Sequence, residues 1–348
     1  MQVPAIVAAG GGRAAKAVYG DNKAHLEVAG RSLVGHAVAA LQRVPEVSEV
    51  WVVGDAARLE ATLTRELAGE LRKPLTVVPE FRNLLENAWE TYRRLLPDAG
   101  PGGRDPRPDE RENLVLFLSS DLPLATAQEI SAFIKEGAAQ EVDYSLGLVS
   151  EESMQPFYPE AGGSGKDDKP GIEMAYFNLR EGRVRQSNLH LVRPPKLGKR
   201  HHIEELYEHR YQKQLGNALA LGWRIFWDEG GGMRVLFYFT LMHLAGAFDR
   251  RNWRWLADRF RNWVTIERVE RALGALLAAR LRVVITEGGG CAVDVDNERD
   301  FDVMKERYDD WHARQEAAVL ALYGTALLPE RATEFEIGRW QGGEEEPT

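Results

Sequence analysis

One cysteine, Cys291, is the only thiol in a chain of 348 residues. A lone thiol excludes an intrachain disulfide framework and suits a reducing compartment, and the residue reads as a small buried side chain. Positive charge is also short: the formal net charge of -9 argues against a general nucleic-acid or anionic-membrane binder, since such surfaces need a basic footprint, and leaves any phosphate chemistry to a local patch. Long apolar runs are missing too. The longest, Val235 to Phe248, is shorter than the ~20 residues that span a bilayer and includes His243. It reads as a buried helix, with an interfacial membrane contact as the alternative; Asp249, Arg250 and Arg251 after it fit either. The N-terminus carries no basic region ahead of its apolar run, so the expected location is the cytoplasm. No internal repeat, Gly-Lys-Ser/Thr phosphate loop, HExxH, paired CxxC or GxSxG is present.

What is present begins with an apolar run, Val3 to Ala8, that leads through Ala9 into Gly10-Gly11-Gly12, with Arg13 and Lys23 bracketing the loop that follows. Glycines let backbone N–H groups approach a polyanion, and the two cations balance its charge. Ser32 then precedes a helical pattern to about 43, and Val47–Val53, Ala57–Leu71 and Leu75–Val78 read as strand, helix and strand. This βαβαβ order predicts an α/β fold with a mostly parallel sheet. A helix follows over Phe81–Leu96, with Asn83 and Asn87 near its start. The Pro- and Gly-rich stretch 98–112 reads as a solvated, mobile loop, as does 162–170.

The apolar strand Asn113–Leu118 delivers Asp121, and Thr126 caps the next helix. Tyr144–Val149 is a strand; Met174–Leu179 and Asn188–Val192 read as an antiparallel excursion flanking a turn and the polar stretch 183–187. Residues 203–281 form a helical segment ending in an amphipathic helix capped by Thr265, in which Trp253, Trp255 and Trp263 are expected to pack between helices. Arg282–Thr286 and 291–296 read as strands, the latter carrying Asp294 and Asp296, and a helix follows from about 298.

In an open α/β sheet the ligand crevice lies beyond the carboxyl ends of the strands, so the glycine loop and Asp121 should meet there. Distant carboxylates brought beside a phosphate loop point to Mg²⁺, which takes one or two carboxylates plus phosphate oxygens. The permissive dinucleotide pattern at Gly10, Gly12 and Ala15 fails, because Tyr19 to Asn22 interrupts the helix it requires and Asp55 lies too far on.

AIVAAGGGR, NKAHLEVAGRSLVGHAVAAL, LSSDLPLAT and AVDVDNERDFDVM together resemble the MobA-like NTP transferases. The resemblance implies a Rossmann-like, GT-A-type nucleotidyltransferase core, over 1–200 and 282–325, against which 203–281 stands as a helical insertion; the acidic end, 339–348, reads as a disordered tail from its composition. It assigns Ala9, Gly10, Gly11, Gly12 and Arg13 to the triphosphate loop, Lys23 to phosphate, Asp121 and Asp296 to Mg²⁺ with Asp294 as a further acid, Asn83 and Asn87 to base and ribose, and Ser187 and Asn188 to the acceptor side. The implied reaction moves a nucleotidyl group from an NTP to a phosphorylated small molecule. Two alternatives stay open: a GT-A-type glycosyltransferase with a nucleotide-sugar donor, and a non-catalytic nucleotide-binding scaffold.

Overall fold

The computed structural model describes residues 1–11, 17–160, 169–172, 174–199, 232–324 and 337–340. The first half alternates strand and helix: β1 (Val3–Ala9), the small hairpin β2 (Glu27–Val28) and β3 (Arg31–Ser32), α1 (Leu33–Gln42), β4 (Val47–Gly54), α2 (Ala56–Glu66), β5 (Leu75–Pro79), α3 (Leu84–Leu95), β6 (Val115–Ser119) and α4 (Ala127–Ala139). Ser32, Asp55, Asn83 and Thr126 set the helix starts, each accepting a hydrogen bond from the N–H three residues on. Then come β7 (Tyr144–Ser150), the one-turn α5 (Glu151–Met154), β8 (Phe177–Leu179), β9 (Gly182–Val192), α6 (Gly232–Arg250), α7 (Arg254–Arg261), α8 (Ile266–Leu277), β10 (Leu281–Thr286), α9 (Glu298–Tyr323) and β11 (Ile337–Arg339).

The sheet runs β10-β7-β9-β6-β1-β4-β5-β11, with β8 joined to β9. Its neighbours are parallel except around β9, which runs antiparallel to β6, β7 and β8. Alternation in β1 sends Ala5, Val7 and Ala9 into the core against α1, α2 and α4, while Ile6 faces the Tyr92 and Leu96 side with α3. Both faces are covered, as a parallel sheet requires. Ala8 lies opposite Ser119 and Ala9 opposite Gly54, so three central strands end level with one another. Gly54 makes this possible, because a Cβ there would stand 2.8 Å from the Ala9 carbonyl oxygen.

Five expectations need correction. Residues 183–187, expected as a polar stretch between two strands, are the interior of β9, because β7 and β8 supply backbone partners that do not depend on side-chain polarity. Residues 291–296 are not a strand: a 3-10 turn spans Gly290–Ala292, entered through Gly289 at φ 85°, and an extended stretch without ladder partners follows. The 98–112 segment is pinned, with a 3-10 turn at Pro108–Glu112, an Arg104–Glu110 ion pair and Trp340 Nε1 donating to the Pro101 carbonyl at 2.9 Å. The 235–248 run is helical but buries one face only: Leu241, Met242 and Ala245 are covered, whereas Phe237, Phe239 and Leu244 are exposed. Trp253, Trp255 and Trp263 are likewise exposed. Among the described residues no helix is long and apolar enough to cross a membrane. Residues 203–231, most of the 162–170 loop and the tail from 341 lie outside the described residues.

Candidate active site

Past Ala9 the chain enters Gly10 and Gly11; Gly12 and Arg13 lie outside the described residues. A Cβ on Gly10 would stand 2.9 Å from Asn87 Nδ2 and 3.0 Å from Glu80 Oε2, so α3 and the end of β5 close tightly over the strand end. Gly11 N–H donates to Glu80 Oε2 at 2.8 Å, so this loop N–H faces a carboxylate. Asn87 accepts from Phe81 N–H at 2.6 Å, and Asn83 caps α3.

Residues 18–21 form a tight turn with Tyr19 and Gly20 at positive φ. Arg58 holds the Asp21 carboxyl down at about 2. Asn22 then does two jobs. Its Oδ1 accepts from Ala24 N–H at 3.0 Å, starting the 3-10 turn Lys23–His25, and its Nδ2 donates to the Ala9 carbonyl at 3.0 Å. The turn bearing Lys23 is thereby tied to the end of β1.

Asp121 follows β6 and is 1% exposed. Ser120 N–H donates to the Ala8 carbonyl at 3.1 Å, extending the ladder to the residue before it, and the Ser119 hydroxyl donates to Asp121 Oδ1. Lys23 Nζ pairs with Asp121 Oδ2, stands 3.4 Å from Asp296 Oδ1 and donates to the Val295 carbonyl at 3.0 Å. Burial opposes the ammonium's charge, but Asp121, Asp296 and Asp294 outweigh it, and the lysine pKa is raised. Arg185, from β9, donates to Asp294 Oδ1 at 2.5 Å and to the Ala292 carbonyl at 2.9 Å. One oxygen from each of Asp121, Asp294 and Asp296 lies within 4.8 Å of the others.

Residues 286–296 reach Asp121 through their backbone. Glu129, fully buried on α4, accepts from Thr286 Oγ1 at 2.9 Å and from the N–H groups of Gly289 and Cys291 at 3.1 Å each. Gln315 of α9 donates to the Gly288 carbonyl at 2.6 Å. A Cβ on Gly290 would stand 2.0 Å from the Leu124 carbonyl oxygen, so only glycine permits the approach that sets Asp294 and Asp296 beside Asp121.

Ser187 and Asn188 occupy an irregular stretch of β9. The β7 ladder passes from Leu148–Gln186 to Leu146–His190, and Asn188 takes φ 52°. Leu189 pairs with Leu118, which sets this stretch beside the end of β6, and the buried Ser187 hydroxyl has no hydrogen-bond partner among the described residues. The structure thus gathers Lys23, Asp121, Asp294 and Asp296 into one cluster, sets Asn87 against Gly10 and Asn188 beside β6, and uses Asn83 as a cap. Sequence reasoning missed Asn22, Glu80, Ser119, Glu129 and Arg185. Glu80 could have been found as the first residue beyond β5, where ligand-facing groups gather; Arg185 was hidden because 183–187 reads in sequence as a polar stretch between strands.

A mostly parallel sheet with helices on both faces and polar groups gathered beyond its central strands defines an α/β, Rossmann-like fold. Residues 5–162 match the family model of the MobA-like NTP transferase domain. Among solved structures, a hypothetical transferase structure from Thermus thermophilus is 22% identical, with a TM-score of 0.56 over 86% of this chain and 99% of that one; it shares the fold. CMP:2-keto-3-deoxy-manno-octonic acid synthetase complexed with CTP (11% identical, TM-score 0.44, 89% and 99% covered) is more distant. So is 4-diphosphocytidyl-2C-methyl-D-erythritol synthase from Anaerococcus prevotii (12%, 0.40, 88% and 98%). No curated protein matches the chain.

Proposed function

We propose that the protein transfers a nucleotidyl group from an NTP to a phosphorylated small-molecule acceptor and releases pyrophosphate in a Mg²⁺-dependent reaction. The observation that carries this reading is the convergence of Lys23 with Asp121, Asp294 and Asp296 beyond the central strands. Their all-oxygen donor set fits Mg²⁺. Asp121 and Asp296 would hold it once Lys23, which faces both, turns to the triphosphate, while Asp294 is held by Arg185. When bound, the ion would offset charge on the phosphates.

The remaining roles fall to the chain's own groups. Lys23, with its raised pKa, stays charged through the neutral range and offers that charge to the triphosphate, joined by Arg13 and the N–H groups that follow Ala9. Gly11 N–H serves only if Glu80 yields it. Asn87, and Asn83 at the same helix start, face base and ribose; Ser187 and Asn188 line the acceptor side. An acceptor phosphate oxygen bonds to the α-phosphorus as the α–β bridging bond breaks, and the electron pair leaves on pyrophosphate. The attacking oxygen is already anionic, so no proton has to be removed and catalysis is positioning plus charge stabilisation. NTP chemistry and a single thiol fit a cytoplasmic setting.

The test is product analysis with each NTP, Mg²⁺ and a panel of phosphorylated acceptors. Pyrophosphate released by the wild type and lost in Asp121→Ala, with an unchanged circular dichroism spectrum, is the expected result. Free nucleoside diphosphate from a nucleotide sugar would support the glycosyltransferase reading instead. Tight NTP binding with no turnover across the panel would leave a scaffold.

A further inference from the structure

We propose that the face built by α6, α7 and α8 is a docking surface for an anionic lipid bilayer. These helices are fixed to the sheet: Leu241, Met242 and Val264 pack with Leu148, Leu179 and Val184, and Asn178 Nδ2 donates to the Met242 carbonyl at 3.3 Å. Among the described residues, Phe237, Phe239 and Leu244 of α6 and Trp253, Trp255 and Trp263 around α7 are exposed, Trp255 at 72%. Exposed aromatics at this density are unusual on a soluble surface.

Charge selects the occupant. Residues 232–271 contain eight arginines against four carboxylates, in a chain whose formal net charge is -9. Phe237 and Trp263 share a groove of about 430 Å³ with Arg234, Arg268 and Arg271, and among the described residues no carboxylate lines it. Arg268 lies over the Trp263 ring at 5.7 Å, and Arg271 stands 3.6 Å from the exposed Glu267. Tryptophan rings favour the headgroup level of a bilayer, and arginine heads meet lipid phosphates while their stems cover apolar surface. With no helix of the described residues long enough to span, the surface lies on the membrane and does not cross it.

Co-sedimentation of the full chain with phosphatidylcholine vesicles, with and without phosphatidylglycerol, tests this and needs no nucleotide. Expected are binding to the anionic vesicles only, weakening with salt, a blue shift of tryptophan emission, and at least ~10-fold weaker partition for Trp255→Ser/Trp263→Ser. Circular dichroism and the thermal midpoint of that variant should match the wild type, since both side chains are exposed. Equal binding to both vesicle types, or none to either, overturns the proposal. So does a concentration-dependent dimer in light scattering that the same variant dissolves, because a second copy would then cover the face.

Discussion

Two glycine runs, Gly10 to Gly12 and Gly288 to Gly290, look alike in sequence and serve different ends. At the first, the groups crowding the described glycines are side-chain ends, Asn87, Glu80 and Asn22, which can move. At the second they are the Leu124 and Ser153 carbonyls and the buried Glu129 carboxylate, which cannot. The side chains around the first run can give way to a ligand, whereas the second is filled by its own chain. Asp294 and Asp296 are delivered from that packed side, and the groups proposed to meet phosphate come from the other.

That contrast can be broken by substitution. Glu129→Ala strands three donors in a buried place and should cost about 4 kcal/mol in urea unfolding. Gly290→Ala forces a Cβ onto the Leu124 carbonyl and should cost about 3 kcal/mol by the same measurement. Gly10→Ala should cost under about 1 kcal/mol in stability while weakening NTP binding in calorimetry, because only side-chain ends need shift. Equal losses at Gly10 and Gly290 would erase the distinction.

A smaller effect carries a sign. Burial raises the Glu129 pKa above its ordinary 4.5, with the hydrogen bonds from Thr286, Cys291 and Gly289 acting the other way. A raised folded-state value means that its contribution is fully present below the unfolded pKa and declines as pH rises through the folded one. Glu129→Gln, which does not titrate, should therefore flatten that part of the stability–pH profile; an unchanged slope would remove Glu129 as its source.

Much of the ligand side was legible in the chain. Apolar runs that end in glycine or aspartate mark strands covered on both faces, and their level ends bring Gly10 and Asp121 to one edge. Lys23 was legible as the cation closing the loop. Asp294 and Asp296 were placed on a strand because alternating Val and Asp mimics one, but Glu129 takes the N–H groups just upstream and Gly289 turns the chain. Neither partner is close in sequence. Arg185 and Glu80 join the site only through strand order, which local patterns do not encode. Periodicity found α6 and α8 but could not say which of their faces the sheet would leave uncovered, and so the exposed tryptophans were misjudged.

The most direct measurement is a calorimetric titration of NTPs with and without Mg²⁺ into the wild type and Asp121→Asn. Asp121 meets Lys23 and lies within 4.8 Å of its companion carboxylates, so binding should require Mg²⁺ and weaken at least ~10-fold in the variant with the circular dichroism spectrum retained. NTP binding of equal strength without Mg²⁺, or in the variant, would contradict the account.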